Sequence, residues 1–474
     1  MTTQTRETPT LAGQTDVPWR ALPVLMAGVF LCVLDFFIVN VALPSMQSNL
    51  HASSGEIEWV VAGYGLALAV FLLASGRIGD QIGRRRSFMI GIAAFVAASA
   101  VCVVAPNPSV LIAARLAQGV GGALITTSVL SLIGVLYVGA ARARAIGIYG
   151  VMLGISATGG QLIGGALIDA DVAGLGWRAI FAINVPIGVA ALILAPILIQ
   201  ESRAATAAKL DIAGMVLMTL TMTTLMLPLI EGRQAGWPLW TWLLLALVPV
   251  MLAVTVLQQR RLGQRGGAPL FPGVLLTERT FRAGLIWQLA FWCGQASMYF
   301  VLALYLQQGR DLSALESGLV FTSIAVPYLA ASLISPKLGM RYGRRILVSG
   351  GAALLVGYAA LIEALLAGVD APLWLIVPGL AFLGIGQGLC IPPSTALVLA
   401  HAKPTQAGAV SGAMSTIQQI GNCVGVAVIG VLFFGAANIQ LAFGLSILGL
   451  VVIALIALGL TRLLPRAAAS GAGR

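Results

Sequence analysis

Fourteen apolar runs, each about 20 residues long, constrain this chain more than any other feature. They fall at about 21–43, 58–76, 88–106, 109–136, 144–168, 179–199, 212–230, 240–258, 282–306, 316–335, 345–367, 372–396, 406–434 and 437–461. A helix of that length rises roughly 30 Å, the thickness of a bilayer's hydrocarbon core. With 59% hydrophobic and only 9% charged residues, an ordinary soluble composition is excluded. The 56 glycines suit such helices, because small residues let backbones approach where lipid supplies no hydrophobic drive. Connections between the runs are too short for a second globular domain. The expected fold class is therefore an all-α membrane protein with fourteen transmembrane helices.

Charge sets the orientation. With both termini cytoplasmic, 23 of the 27 Lys and Arg residues fall in tails or inside loops. Arg178, Arg233 and Arg310 fall outside and Arg115 lies within a span, an asymmetry that follows the positive-inside rule. The same distribution accounts for the net charge of +11 through topology and anionic lipid, so no nucleic-acid partner is expected. Residues 1–19 are polar and lack an apolar h-region, so the first span is expected to serve as a signal anchor. Cys32, Cys102, Cys293, Cys390 and Cys423 all lie in predicted spans without metal-ligand spacing and read as small buried hydrophobes. No metal, cofactor or catalytic residue is expected.

The chain also carries an internal repeat. Gly76-Arg77-Ile78-Gly79-Asp80-Gln81-Ile82-Gly83-Arg84-Arg85-Arg86 recurs as Pro336-Lys337-Leu338-Gly339-Met340-Arg341-Tyr342-Gly343-Arg344-Arg345. Aligning Gly83 with Gly343 superimposes Gly79 on Gly339 and the arginine pairs on each other, as a duplicated transporter core would. The expected organisation is a tail at 1–20, a six-helix bundle at 21–200, two additional spans at 210–260 and a connector at 261–281. A second pseudo-symmetric six-helix bundle at 282–461 and a tail at 462–474 follow. The two additional spans are expected to pack peripherally. The connector, with Arg260, Arg261, Arg265 and Arg279 beside Pro269, Phe271 and Leu275, reads either as interfacial or as a plain loop.

Ionisable residues inside spans need a reason, because each costs about 2.5–3.5 kcal/mol at the bilayer centre on insertion scales. Asp35 in span 1 and Arg115 in span 4 are the deep ones. They stand roughly 12 Å and roughly 9 Å from the outer ends of their helices, at 1.5 Å per residue. Opposite charges at similar depth in one bundle are either a structural ion pair or a functional one, and intramembrane ionisables are functional by default. Glu58, Glu316 and Glu363, near the outer ends of spans, are expected to reach water.

The loop motif resembles the signature that joins the second and third spans of each half in the major facilitator superfamily. Leu34-Asp35-Phe36-Phe37-Ile38-Val39-Asn40-Val41-Ala42-Leu43-Pro44 is similar to the first-span signature of that superfamily's fourteen-span drug:proton antiporter branch. Arg115, Gln118 and Gly119 resemble its fourth-span arginine motif, and Gly147, Gly160, Gly164 and Gly165 its exporter-type fifth-span glycine motif. Trp177-Arg178 and Ile183-Asn184-Val185-Pro186 resemble a further marker. Phe37 stands where the branch usually has Thr or Ser, Gln161 where it has Pro, and Ser156 where it has Gly.

The resemblance implies proton coupling by Asp35 and Arg115, and a gating loop of Gly76, Asp80, Gly83, Arg84 and Arg85. Phe37 removes a hydroxyl near Asp35, leaving Asn40 or water to hydrogen-bond it. Gln161 restores a backbone N–H that Pro lacks, and a straighter span 5 is expected.

Phe37, Asn40, Gln118, Gln288, Phe291, Gln295 and Tyr299 are candidate cavity-lining residues. A Met and aromatic stripe at helical spacing also fits plain packing. The implied partners are a small lipophilic substrate, protons and the bilayer. A monomer in the cytoplasmic (inner) membrane is expected, with a periplasmic adaptor if the host is Gram-negative.

A proton-coupled uptake symporter of the same fold is the nearest rival, since fold does not give direction. A non-transporting sensor is also compatible. A membrane enzyme finds no HExxH, GxSxG or CxxC, and direct ATP use finds no Walker pattern.

Overall fold

The computed structural model describes residues 18–203, 210–270, 278–368, 372–399 and 407–464. Its first five helices are α1 (Ala21–Leu50), α2 (Ser54–Ile82), α3 (Arg84–Val103), α4 (Pro108–Leu136) and α5 (Gly139–Asp169). A sixth span, Gly176–Leu198, contains the short α6 (Ala179–Ala182) and α7 (Asn184–Leu198). Two further helices, α8 (Ile212–Gln234) and α9 (Leu239–Gln264), precede the second set. That set comprises α10 (Arg279–Leu304), α11 (Ala314–Tyr342), α12 (Arg345–Leu366), α13 (Val377–Leu399), α14 (Ala407–Phe434) and α15 (Ile439–Leu460). No strand occurs among the described residues.

Duplication is visible in the packing. In the first half α4 lies against α2 and α3, α5 against α1, and α7 against α1 and α3. In the second half α13 lies against α11 and α12, α14 against α10, and α15 against α10 and α12. The repeat reaches the helix caps at the same offset as the loop. Ser53 Oγ accepts from Glu56 N and Glu56 returns a bond to Ser53 N, closing a capping box at the start of α2. Ser313 and Glu316 close the same box at the start of α11.

The halves meet along two crossed seams, α5 on α11 and α2 on α14. Contact is tight at the end carrying the short α1–α2 and α10–α11 connections, here called the turn end. A Cβ built at Gly165 would lie 2.4 Å from Ala314 O, and one at Gly318 would lie 2.6 Å from Gln161 O. Gln307 Nε2 donates to Val41 O at 2.8 Å and Gln308 to Gln47 Oε1 at 3.1 Å, adding polar contacts across the same end. Toward the opposite, basic end, side chains added at Gly76, Gly147 or Gly150 would meet no described atom within 4 Å. The described contacts between the halves are thus closest at the turn end.

One expectation is corrected here. The additional helices are not both peripheral: α9 lies outside and packs chiefly on α8, whereas α8 packs into the α2–α14 seam. Span 5 bends by 41° between Arg144–Ala157 and Gly159–Asp169, beside the Gly159-Gly160 pair, where glycine weakens the helix. Part of the connector, residues 271–277, lies outside the described residues, as does most of each terminal tail. Its described portion is half helix: α9 continues to Gln264, and Arg77 Nη2 donates to Pro269 O at 2.6 Å.

Candidate functional site

Five spans of the first half converge on one buried ion pair. Asp35 of α1 and Arg115 of α4 are 0% and 1% exposed, and Arg115 Nη1 donates to Asp35 Oδ2. The other carboxylate oxygen accepts from Asn184 Nδ2 of α7 at 2.8 Å and from Gln118 Nε2 of α4 at 3.2 Å. Ser99 of α3 accepts from both amides, at 3.3 Å and 2.8 Å, and donates its own hydroxyl hydrogen bond to Phe95 O. Arg115 Nε donates to Val60 O of α2 at 3.1 Å, and the guanidinium lies 4.5 Å from the Tyr64 ring centroid. A buried pair is retained only when its remaining polar atoms are satisfied. Here amides, a hydroxyl, a carbonyl and an aromatic face supply them.

Neither Phe37 nor Asn40 takes part. Asn40 Nδ2 donates to Phe37 O at 3.1 Å, one turn back on its own helix, so it does not supply the bond expected of it. That bond comes from Gln118 and from Asn184, which the sequence offered only as a branch marker. The signal was present: Asn184 is a lone amide at the start of an otherwise apolar helix. Ser99 and Tyr64 gave no comparable signal, since one Ser or Tyr in an apolar span is ordinary.

At the basic end, Asp80 Oδ1 of α2 accepts from Arg84 Nη2, across the Gly83 break at the start of α3, at 2.9 Å. The loop is closed by a residue the sequence did not single out. Glu201, just beyond α7, accepts from Arg85 N at 3.0 Å and Arg86 N at 3.2 Å, capping the start of α3. Gly83 makes room for it. Its φ is +111°, and a Cβ there would lie 2.6 Å from the Glu201 carboxyl carbon. A carboxylate at two orphan N–H groups also complements the helix dipole. Glu201→Ala should destabilise the protein by about 1 kcal/mol. It should therefore unfold earlier than the parent in detergent melts, with Glu201→Gln between the two. Coincident melting of all three would remove Glu201 from the cap.

Aromatic and amide side chains of the second half cluster along α10, and Phe37 reaches them from the first half. Phe37 of α1 meets Tyr299 of α10 edge-on at 5.4 Å, and Tyr299 stacks on Phe321 of α11 at 5.6 Å. Tyr299 Oη donates to Gln387 Oε1 of α13 at 3.3 Å. Gln288 accepts from Trp292 Nε1 and donates to Ser394 Oγ at 3.4 Å. Phe291 stacks on Trp287 at 5.0 Å, and Gln295 is buried on the same helix. Of the fifth-span glycines, Gly160 and Gly164 bring α5 against α1, and Gly165 brings it against α11. Gln161 is buried with neither side-chain polar atom partnered among the described residues. Glu316 and Glu363 lie at exposed or capping positions, as expected, but Glu58 does not reach water: it is 1% exposed.

Two pseudo-symmetric helical halves, with an ion pair sealed inside one of them, have the architecture of a secondary transporter. The Major Facilitator Superfamily model matches residues 25–426 and again 285–472, and the chain belongs to that family. It is 38% identical over 426 residues to a probable actinorhodin transporter of Streptomyces coelicolor, spanning 89% of this chain and 73% of that one. It is 30% identical to the tetracenomycin C resistance and export protein of Streptomyces glaucescens, over 91% and 80% of the two chains. It is 31% identical to a methylenomycin A resistance protein of Bacillus subtilis, over 90% of each.

Among solved structures, it resembles a bacterial homolog of the human lysosomal transporter Spinster in an inward-facing, occupied conformation. The TM-score is 0.67 at 17% identity, over 95% of this chain and 97% of that one. An auto-inhibited peptide transporter of the POT family gives the same TM-score at 15% identity, over 96% and 99%. These two show the fold alone.

Proposed function

We propose that this chain is a proton-driven exporter of hydrophobic or amphiphilic antibiotic-like molecules in the cytoplasmic membrane. The observation that carries it is the Asp35–Arg115 pair. Among the described residues it is the most deeply buried charge pair, held by α1, α4 and α7 in one half only. The relatives' names, which speak of antibiotic resistance and export, support the direction.

With the basic end cytoplasmic, as the positive-inside rule demands, the described conformation faces inward. Protonating Asp35 removes the charge that holds Arg115 and so reorders the amides around it. Returning that proton to the cytoplasm resets the pair. One proton descending about 150 mV supplies roughly 3.5 kcal/mol, enough for about a 300-fold substrate gradient. Substrate lies against Phe37, Tyr299 and Phe321, with the Gln288, Gln295 and Gln387 amides for its polar edges. No carboxylate joins that lining, so neutral or monovalent lipophiles are favoured over dications. Asp80 and the Arg84–Arg85 loop act as the gate of the basic end. The protein works as a multi-pass monomer with both ends cytoplasmic, joined by a periplasmic adaptor if the host is Gram-negative.

Purified protein in sealed vesicles tests this. Adding actinorhodin-like, tetracenomycin-like and cationic dye substrates on the cytoplasmic side should release protons there as substrate leaves. Flux in which substrate and proton move together would establish the uptake symporter instead.

A further inference from the structure

The α2–α14 seam contains a charge that its symmetry mate lacks. In the register that pairs Gly83 with Gly343, Glu58 of α2 pairs with Gly318 of α11. Gly318 closes its own seam by bare backbone contact with Gln161. Glu58 instead puts a carboxylate between the halves, so close to α14 that a Cβ on Gly430 would lie 2.6 Å from Oε2.

The surroundings only half suit an ionised carboxylate. Arg233, from the additional helix α8, is the nearest cation, with Nη2 at 3.8 Å from Glu58 Oε1, too far for a hydrogen bond. Its guanidinium is committed elsewhere: Nη2 donates to Ser54 Oγ of α2 at 3.0 Å and Nη1 to Phe434 O of α14 at 3.2 Å. Glu58 Oε2 has no hydrogen-bond partner among the described residues. Glu231 of α8, a like charge, faces the same spot while holding Trp59 Nε1 at 2.9 Å. α14 carries no charged residue at all, and α4 reaches this turn of α2 through Arg115 on Val60 O. Burying a carboxylate without full hydrogen bonding is costly, whereas its neutral form is not so penalised. Parting the halves at the turn end returns Glu58 to water.

We propose that Glu58 and Arg233 form a proton-operated latch at the turn end. Protonated Glu58 lets the α2–α14 seam close, and ionised Glu58 favours its opening. Arg233 clips α2 to α14 whenever the seam is shut. This gives α8 a working part in the cycle: it supplies the clip that the six-plus-six core does not contain. The inference rests on the proposed exporter's need to open at this end, but not on Asp35.

Spin labels at exposed Ser48 and Ala437, one on each half at the turn end, read the seam directly and need no substrate or transport. The measurement is made on full-length protein in lipid nanodiscs carrying Asp35→Asn, which removes the central carboxylate. A one-unit difference in proton affinity between two states changes their ratio about tenfold. The closed, short-distance population should therefore grow by about that factor as pH falls from 8 to 5. Adding Glu58→Gln should hold the population closed at every pH, and Glu58→Asp, which keeps a titratable carboxyl, should restore the dependence. Arg233→Gln should lower the closed population at low pH, where the clip alone acts. A pH response that survives Glu58→Gln, or that is already absent with Asp35→Asn alone, would overturn the latch. Either result leaves the exporter reading untouched, since that is decided by vesicle flux with Asp35 intact.

Discussion

Asp35→Asn should reduce pH-gradient-driven export to the passive background. The variant keeps the size of the side chain and one acceptor oxygen for Asn184 or Gln118. It removes the only carboxylate at the centre of the first half, so no proton can be exchanged there. It also strands Arg115 without a counter-ion, and breaking a buried pair from one side costs about 3–5 kcal/mol. Insertion and melting temperature must therefore be checked alongside flux, and substrate binding measured at equilibrium should survive.

Arg115 gives the complementary arm. Arg115→Lys retains a charge but loses the planar fork that reaches Asp35, Gln118 and Val60 O together, so partial loss is expected. Arg115→Ala should flatten the pH dependence of export. Uphill transport at the parental rate by Asp35→Asn would remove the pair from the mechanism.

How much of this was legible beforehand depends on the range of the interaction. The spans, the duplication and the Asp35–Arg115 pairing were readable because hydropathy is local and two lone opposite charges in apolar helices have few other partners. Three things were not. Glu58 was assigned to water because it stands at the outer end of its predicted span, 58–76, and position along one helix says nothing about what packs beside it. Its burial comes from α14, which packs against it at Gly430, and from α8, whose own sequence reads as one more apolar span. The bond from Asn184 to Asp35 crosses 149 residues and needs the fold to define it. Glu201 caps a helix that begins 117 residues earlier than itself, with no Ser, Thr, Asp or Asn at Gly83 to announce a cap. The cavity residues fall between these cases. Their helical spacing was visible, but the meeting of Phe37 with Tyr299, which crosses from one half to the other, was not; Tyr299 on Phe321 stays within the second half.

Gly165→Ala should trap the halves apart at the turn end and slow transport roughly tenfold or more. The added Cβ would lie 2.4 Å from Ala314 O and 2.7 Å from Leu315 Cα. Both are backbone atoms at the start of α11, which cannot swing aside as a side-chain tip can. The helices must separate, and overpacking of this kind costs about 1–3 kcal/mol. That energy applies only to the conformation closed at this end, so it enters as a shift of about 5- to 150-fold in the ratio of the two states. An exporter that cannot close there cannot present its cleft to the basic end, so turnover falls although the protein is folded and still binds substrate.

Gly147→Ala is the matched control on the same helix, since its Cβ would meet no described atom within 4 Å. The labels at Ser48 and Ala437 should report a longer mean distance for Gly165→Ala and an unchanged one for Gly147→Ala. If both variants give the parental distances and rates, the close approach of α5 to α11 is not what holds the turn end shut. The α2–α14 seam with its Glu58–Arg233 pair would then have to do so alone.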